Sequence, residues 1–243
     1  MKLLDKLRSV FLREQFNPSL LGLFINPFYF GRKTIYDNIK FYAPNVKGLT
    51  LDVGCGNKPY ETLFNCKEYI GLDTSKSGHS HESSRIDVLY DGVNIPFETD
   101  YFDSVVCFEV LQVIFEPENF LKEITRVLKP GGIALFTIPF IWDEHEQPYD
   151  FARYSSFGLK NIFEKQGFIV LENKKYLNDL RLLFLLSNAY IHKVVRRFLP
   201  NRILSYLIIL PLTSLNNIIG HISFLLPKNQ DLYFGNVFLL KKI

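Results

Sequence analysis

The spacing of apolar residues changes near residue 44, from a helical period to short continuous runs. Before that point, apolar positions in 2–16 follow helical spacing with basic residues between them, and a second helix is expected near 32–43, ending before Pro44. The apolar positions of the first segment are Leu3, Leu4, Leu7, Val10 and Phe11. A turn-rich stretch joins the two segments. Residues 1–44 are therefore predicted to form an N-terminal helical flank.

Beyond residue 44, segments of strand-like composition alternate with amphipathic ones. The predicted strands are "GLTLDVG", "EYIGLD", "RIDVLY", "YFDSVVCFEV", "IALFTIPF", "FIVLENKKY" and "GNVFLLKK". The helices between them are expected at "PYETLFN", at "PENFLKEITRVLK" and up to Gln166. This alternation predicts an α/β fold with an open, mostly parallel sheet and right-handed crossovers.

The segment before the last predicted strand has a different pattern. Residues 179–226 are apolar and are predicted to be helical, with breaks at Pro200, Pro211 and Gly220. We therefore expect one domain over 45–243 that carries a helical insertion at 179–226. A length of 243 residues, 47% of them apolar, suits one domain with sizeable additions.

The cysteines and the N-terminus indicate the compartment. Cys55, Cys66 and Cys107 are odd in number and lie in apolar surroundings, which is typical of reduced thiols in a cytosolic protein and not of a disulfide framework or a metal site. Charges interrupt every apolar run of the N-terminus, so no signal peptide is expected. A cytoplasmic protein is predicted.

The net charge of +3 hides an uneven distribution. Residues 1–33 carry +4 and residues 174–243 carry +8, so the centre of the chain carries −9. Two basic, apolar flanks around an acidic centre indicate an anionic surface or substrate near the flanks. The alternative is that the flanks pack against the acidic centre.

Two glycines and two acids stand where a parallel sheet binds its ligand, at the carboxyl ends of its strands. Asp52 ends the first strand of the alternating region, and Gly54 and Gly56 make the turn, where glycine lets the backbone approach a ligand closely. Asp73 ends the next strand and can accept hydrogen bonds from both hydroxyls of a ribose. The pattern predicts a nucleoside-containing cofactor.

The nature of the acids distinguishes two cofactors. A dinucleotide fingerprint needs a third glycine where Pro59 stands, and Asp52 would repel a pyrophosphate. A ligand with a cationic end suits Asp52 better. S-adenosylmethionine carries an ammonium and a sulfonium and no phosphate, so the residues favour it over a nicotinamide dinucleotide. A turn without any ligand is the remaining alternative.

At these residues the sequence resembles the class I S-adenosylmethionine-dependent methyltransferases, and within them the small-molecule group called type 11. The resemblance covers Gly48 to Phe168 and includes "LDVGCG", "GLD", "IDVLYDG", "IPFETDYFDSVVCFEVLQVI" and "EITRVLKPGG". It implies a Rossmann-like seven-stranded sheet with the last strand antiparallel. The cofactor-binding residues that it implies are Asp52, Gly54, Cys55, Gly56, Asp73, Asp87, Val88 and Phe108, with Asp87 at the adenine amino group.

Two departures from the family limit what is carried over. Val113 stands where the family usually has a histidine after the fourth strand, so no role of that histidine is assigned. The fourth strand is followed by "FEVL" instead of the Asn/Asp-Pro-Pro-Tyr motif of nucleic-acid amino-methyltransferases, and no RNA-binding module is visible. We therefore expect a small-molecule or glycan acceptor and no nucleic acid.

The acceptor is expected at the loop "HEQPYDFARYS", residues 145–155, which lies just beyond the fifth predicted strand. Methyl transfer to a hydroxyl needs alignment of the acceptor and removal of its proton. His145 is the predicted general base, because histidine is the natural proton acceptor near neutral pH. Glu146 or Asp150 could orient its ring or bind sugar hydroxyls.

Other residues of the loop are candidates for substrate binding. Arg153 offers a fork of donors for a phosphate or carboxylate, or it pairs with Asp150 to hold the loop. Trp142, Tyr149 and Tyr154 could stack on a sugar face, although Tyr154 could instead belong to the core. With "RYSSFGL" and "KQGF", the loop resembles methyltransferases encoded among bacterial surface-polysaccharide biosynthesis enzymes.

The sequence therefore predicts a methyltransferase that O-methylates a saccharide or a lipid-linked glycan precursor. The alternatives are an N- or C-methyltransferase of another small metabolite and a non-catalytic partner protein with the cofactor fold. No metal is expected, since His79 and His81 lack an obvious third ligand. The uncharged run between Arg202 and Lys228 is expected to cap the acceptor pocket or to contact an anionic leaflet peripherally, at the inner face of the membrane.

Overall fold

A seven-stranded sheet forms the centre of the fold in this computed structural model, which describes residues 2–74 and 85–243. The strands, in chain order, are β1 Leu49–Val53, β2 Glu68–Thr74, β3 Val88–Tyr90, β4 Phe102–Phe108, β5 Leu128–Pro139, β6 Phe168–Tyr176 and β7 Gly235–Lys242. Their order across the sheet is β3-β2-β1-β4-β5-β7-β6, and β7 runs antiparallel to β5. The predicted Rossmann-like sheet with an antiparallel last strand is confirmed.

Two helices cover one face of this sheet and form its main core. They are α4, Pro117–Val127, and α5, Ser156–Lys165. The side chains that meet there have almost no exposed surface, because alternate residues of each central strand point to the same face. They include Leu51, Val105, Cys107, Ala134, Phe136, Ile138 and Phe238 from strands and Leu121, Ile124, Leu159 and Phe163 from the helices.

The remaining helices lie in the flank and in the insertion. They are α1 Lys2–Phe16, α2 Gly22–Ile25, α3 Tyr29–Tyr42, α6 Arg181–Phe198 and α7 Arg202–Ile222. The chain divides into two compact units, 1–37 with 176–234 and 38–175 with 235–243. We call them the helical unit and the sheet unit. This division differs from the predicted one, because it joins the N-terminal flank to the insertion and ends the flank inside α3.

The predicted breaks in the insertion are right at Pro200 and wrong at Pro211 and Gly220, which both lie inside α7. A proline inside a helix removes one hydrogen bond without having to end the helix. Gly220 is required by packing: a Cβ there would lie 2.7 Å from a ring carbon of Phe30. The glycine therefore serves close approach and is not a stop signal.

Candidate cofactor and acceptor site

The turn after β1 lies where the strand order reverses, between β1 and β4. Gly54 has φ +77°, and a Cβ there would lie 2.3 Å from Cγ2 of Val110, so only glycine fits. Gly56 has φ +49°, and a Cβ there would meet nothing within 4 Å. The first glycine is thus needed for packing, and the second borders open space that a ligand can fill.

Asp73 lies at the carboxyl end of β2, beside this open space. Its Oδ2 accepts a hydrogen bond from the backbone N–H of Gly56 at 2.8 Å, and its Oδ1 accepts one from Thr74 at 2.7 Å. Each carboxylate oxygen can accept a further hydrogen bond. The two backbone donors fix the carboxylate in place and leave it able to accept the two hydroxyls of a ribose.

Asp52 is the penultimate residue of β1 and is only 3% exposed. Its Oδ2 accepts a hydrogen bond from the hydroxyl of Tyr69 at 2.8 Å. Burial raises the pKa of Asp52 to about 7, although the Tyr69 hydrogen bond opposes this shift. An acid held in this way is poised to ionise when a cation is placed near it.

Asp87 and Lys58 form a pair that sequence reasoning missed. Lys58 is 6% exposed, and its Nζ donates to Oδ2 of Asp87, which also accepts the backbone N–H of Gly71 at 2.7 Å. Burial would raise the pKa of Asp87, but the Gly71 and Lys58 hydrogen bonds lower it below its usual value. The alternation of apolar residues gives no signal for this pair, because Lys58 sits in a turn with φ +52°.

Asp87 stands just before β3, and its Oδ2 is engaged by Gly71 and Lys58. Its predicted contact with an adenine amino group stays a prediction, as does the role of Val88, the first residue of β3. Asp91 is the acid that stands directly after β3, and its Oδ1 accepts the N–H groups of Val93 and Asn94. Asp91 was not among the predicted site residues, although the sequence shows that it directly follows a predicted strand.

Aromatic rings line the end of β4. Phe108, its last residue, stacks with Phe64 at 6.1 Å between ring centroids and meets Tyr60 edge-on at 5.5 Å. Cys55 is buried near them in the β1 turn, and burial raises the pKa of its thiol above the usual range. All three cysteines are free, as predicted, and the buried thiol lacks the character of a nucleophile.

The geometry of the turn tests which cofactor fits. A pyrophosphate is normally held at the N-terminus of a helix. Here the segment after the turn is only a three-residue 3-10 helix, Glu61–Leu63, in place of the predicted short helix. The buried cation of the turn, Lys58, is committed to Asp87. The turn has open space beside Gly56 and two acids, and it is not followed by a helix that could bind a phosphate. These features fit S-adenosylmethionine and do not fit a dinucleotide.

Arg153 clamps the loop that follows β5. Its Nη1 and Nη2 both donate to the carboxylate of Asp150, with the Nη2 contact at 2.9 Å. Nη1 also donates to the carbonyl of Ala152 at 2.8 Å, and Nη2 to that of Asp143 at 2.7 Å. All four Nη hydrogens therefore serve the loop itself. The structure shows the clamp, and a substrate-binding role of Arg153 stays a prediction.

The clamp positions His145. Asp150 has a side chain only 2% exposed, and its Oδ2 accepts the backbone N–H of His145 at 3.0 Å and lies 3.3 Å from Nδ1 of the ring. The hydrogen bond from Arg153 lowers the pKa of Asp150 to about 2, so this group is an anion at neutral pH. Glu146 is further away, with its Oε1 4.0 Å from Nε2. An anion at Nδ1 favours the ring form whose Nε2 accepts protons.

The aromatic residues of the loop divide into two groups. Tyr154 packs partly buried against the sheet core, as the alternative interpretation had it. Tyr149 is 41% exposed, and Trp142 is half-buried. Gln112 was not selected from the sequence, yet its backbone carbonyl accepts the N–H groups of Phe151 and Ala152 and ties the loop to the end of β4.

No group of three metal-binding side chains occurs among residues 2–74 and 85–243. His79 and His81 lie outside the described residues. The expectation of no metal therefore stays a prediction.

With this geometry in place, the chain was compared with known proteins. Residues 51–136 match the family described as "Methyltransferase domain". This segment runs from β1 through β5 and contains Asp52, Gly54, Gly56, Asp73 and Phe108.

Two curated relatives share part of the chain. A phthiotriol/phenolphthiotriol dimycocerosates methyltransferase 1 from Mycobacterium ulcerans (strain Agy99) is 35% identical over 97 residues, which are 36% of this chain and 36% of that protein. A tRNA (carboxymethyluridine(34)-5-O)-methyltransferase from Arabidopsis thaliana is 32% identical over 94 residues, which are 36% of this chain and 23% of that protein. The match thus spans about a quarter to a third of these relatives.

A solved structure shows the same fold over most of the chain. Haemonchus contortus phosphoethanolamine N-methyltransferase 2, in complex with S-adenosyl-L-methionine, has a TM-score of 0.55 and 19% identity, over 95% of this chain and 59% of that one. The fold is therefore the Rossmann-like methyltransferase fold. Together, the matched domain and these relatives support a class I S-adenosylmethionine-dependent methyltransferase with S-adenosylmethionine as its cofactor.

Proposed function

We propose that the protein transfers a methyl group from S-adenosylmethionine to a hydroxyl of a saccharide or of a lipid-linked glycan precursor. The observation that carries the proposal is the His145–Asp150 pair, clamped by Arg153 in the loop directly after β5. This loop follows a central strand at its carboxyl end, where ligands of such sheets bind. We also propose a cytoplasmic location, because all three cysteines are free and the cytoplasm keeps thiols reduced.

The chemistry assigned to the loop is proton removal. When bound, S-adenosylmethionine supplies a methyl group on a sulfonium. Asp150 holds the His145 ring through Nδ1, so Nε2 is available to accept the proton of the acceptor hydroxyl. Asp73 would hold the ribose of the cofactor, and the Asp52 carboxylate would face its cationic end. General base catalysis of this kind contributes about 10²–10⁴-fold to the rate.

Features of the loop favour a polyhydroxylated acceptor. Exposed Tyr149 and half-buried Trp142 offer faces for a sugar ring, and Glu146 offers acceptors for its hydroxyls. The Arabidopsis relative is named a 5-O-methyltransferase of a tRNA uridine, and the Mycobacterium relative is named a methyltransferase of phthiotriol/phenolphthiotriol dimycocerosates. The first name agrees with an oxygen acceptor, and it also introduces tRNA as the competing acceptor class.

The experiment that tests the activity measures transfer of labelled methyl groups from S-adenosylmethionine. The full-length protein is incubated separately with lipid-linked glycan extracts, free saccharides, tRNA and phosphoethanolamine. Label in the glycan fraction, released as a methyl ether of a sugar, supports the proposal. Label in tRNA would show that the acceptor is a nucleic acid, and label on nitrogen would show an N-methyltransferase; either result would contradict a glycan acceptor. Cofactor binding by calorimetry without transfer to any fraction would favour the non-catalytic alternative.

The experiment that tests the base compares two histidine variants. His145→Ala should lower turnover by about 10²–10⁴-fold with cofactor affinity retained. His221→Ala is the matched control, because His221 is an exposed histidine of the helical unit. A fall in melting temperature of His145→Ala without a specific loss of rate would make His145 a structural residue.

A further inference from the structure

Helix α7 has its apolar residues on the outside and its small and polar residues on the inside. The buried positions of the helix recur every three or four residues and form one stripe, Ser205, Ile209, Thr213, Asn217 and Gly220. The other positions are mainly large and apolar, and most have 38–76% of their surface exposed. These are Ile203, Leu204, Leu207, Ile208, Leu212, Leu215, Ile218, Ile219 and Ile222. An amphipathic helix of a water-soluble domain has the opposite arrangement.

The interior of the helical unit is joined by polar side chains. Asn188 of α6 donates to Oδ1 of Asn217 and to the carbonyl of Pro27, both at 2.9 Å. Asn217 in turn donates to the carbonyls of Leu23 and Asn26 at 3.0 Å. Small residues at helix contacts, joined by hydrogen bonds between side chains, are typical of helices packed in lipid, where burying apolar groups against each other gains nothing.

The segment has the length and composition of a membrane helix. Within Arg202–Leu225, an 18-residue window has a mean hydropathy of 1.6, and only 28% of that window is buried. A core helix of a soluble protein passes the same test of hydropathy but is mostly buried. Neighbouring parts of the helical unit add to the apolar surface, since Leu20 is 67% and Phe24 51% exposed, and Ser214 of α7 donates to the carbonyl of Phe24.

The charged residues next to α7 in the sequence are all basic. From residue 180 to residue 230 the chain has no Asp or Glu, and the basic residues there are Arg181, Lys193, Arg196, Arg197, Arg202 and Lys228. The two helices form an antiparallel hairpin, in which Arg196 contacts Ser205 and Asn188 contacts Asn217. Four of the six basic residues lie at or near the connection between the helices, and Lys193, Arg197 and Arg202 are exposed. An apolar face beside exposed basic residues is complementary to an anionic leaflet.

We propose that the helical unit inserts the exposed face of α7 into the boundary between headgroups and acyl chains of a membrane that contains anionic lipids, and that it lies on one leaflet without crossing it. The basic residues at the hairpin connection reach the phosphates. A second copy of the chain is a poorer occupant, because a symmetric contact of this face would bring the same cations together. This inference goes beyond methyl transfer and does not depend on it.

Binding is measured by sedimentation of the full-length protein with vesicles of phosphatidylcholine, with and without 30% phosphatidylglycerol. We expect binding that needs the anionic lipid and weakens as salt rises. Protein that stays in the supernatant with anionic vesicles at low salt would overturn the proposal. Binding to both vesicle types with no salt dependence would equally refute the role of the basic residues.

Two variants separate the apolar and the basic contributions. Ile203→Asp with Leu207→Asp should lower the partition coefficient at least tenfold, because each side chain loses its contact with the acyl region. Both positions are exposed and lie near the helix N-terminus, where acids are tolerated, so the variant should fold. The second variant removes three basic residues, by Lys193→Gln, Arg197→Gln and Arg202→Gln. It should lower the partition coefficient by about 100-fold, at about fivefold for each cation.

The matched control is Phe157→Asp, since Phe157 of the sheet unit is 81% exposed and should not enter the membrane. Its vesicle binding should equal that of the unchanged protein, and equal losses in control and test would contradict the assignment to α7.

Sedimentation velocity without vesicles tests whether a second copy of the chain covers this face instead. A stable dimer that dissociates in the Ile203→Asp, Leu207→Asp variant, together with no vesicle binding, would show a dimer interface in place of a membrane contact. Protection of the α6–α7 connection from external trypsin would show a crossing and overturn the placement on one leaflet.

Discussion

Asp52→Asn should stabilise the cofactor-free protein in alkaline solution and at the same time weaken the binding of the cofactor. The side chain is 3% exposed and accepts a hydrogen bond from the Tyr69 hydroxyl, and burial keeps water away, so the ionised form is poorly solvated. An asparagine has the same shape and keeps an oxygen for Tyr69, but it carries no charge. The substitution therefore removes the cost of burying an anion and leaves the packing unchanged.

The magnitude follows from the pKa. Burial raises the pKa of Asp52 from 3.8 to about 7, so the folded protein holds a proton that the unfolded chain loses near pH 4. The free energy of unfolding consequently falls as the pH rises through this window and levels off above pH 7. A shift of about three units corresponds to about 4 kcal/mol. Asp52→Asn should be more stable by up to about this amount at pH 8 and little changed at pH 4.

Urea denaturation at several pH values between 4 and 9 measures this difference, and titration calorimetry measures the affinity for S-adenosylmethionine. The affinity should fall by about 10- to 100-fold, the range for losing a charged partner. Asp103→Asn is the control of opposite sign, because Lys129 lowers the pKa of Asp103, and it should destabilise the protein at neutral pH. Parallel stability curves of the unchanged protein and Asp52→Asn from pH 4 to 9 would refute the reasoning.

Further substitutions test the other parts of the site. Asp73→Ala should weaken S-adenosylmethionine binding by about 2–3 kcal/mol, and an unchanged calorimetric affinity would remove Asp73 from the site. Gly54→Ala should lower the free energy of unfolding by more than about 1 kcal/mol, since its Cβ would lie 2.3 Å from Val110 at a positive φ, and denaturation with no change would contradict that packing. Asp150→Ala should release Arg153 and speed amide hydrogen exchange across 143–153, while exchange in α4 stays the same as its internal control.

The positions of the cofactor-site candidates at strand ends could be predicted from sequence, because they depend on local order along the chain, and their contacts with the cofactor stay a prediction. Gly54, Gly56 and Asp73 lie where the order of apolar runs and turns placed them. The Lys58–Asp87 pair could not be predicted in this way, since it joins a turn to a residue 29 positions later. The structural role of Arg153 also needed the tertiary structure. From the sequence, Arg153 could either hold the loop or bind the substrate. Its hydrogen bonds to oxygens of Asp143, Asp150 and Ala152 show that it holds the loop.

By itself, the sequence pattern determined most strands and helices of the sheet unit, because buried strands and amphipathic helices have different periods of apolar residues. The antiparallel direction of the last strand was implied only by the family resemblance. The predicted β6 has the observed bounds, Phe168–Tyr176. Only the tertiary structure decided how α7 is oriented. Its composition suits a core helix, a cap or a membrane surface, since composition alone does not say which face of the helix is buried. The face that is buried depends on where Asn188, Phe30 and Asn26 lie, and these contacts bring its polar stripe inward and leave its leucines and isoleucines outside.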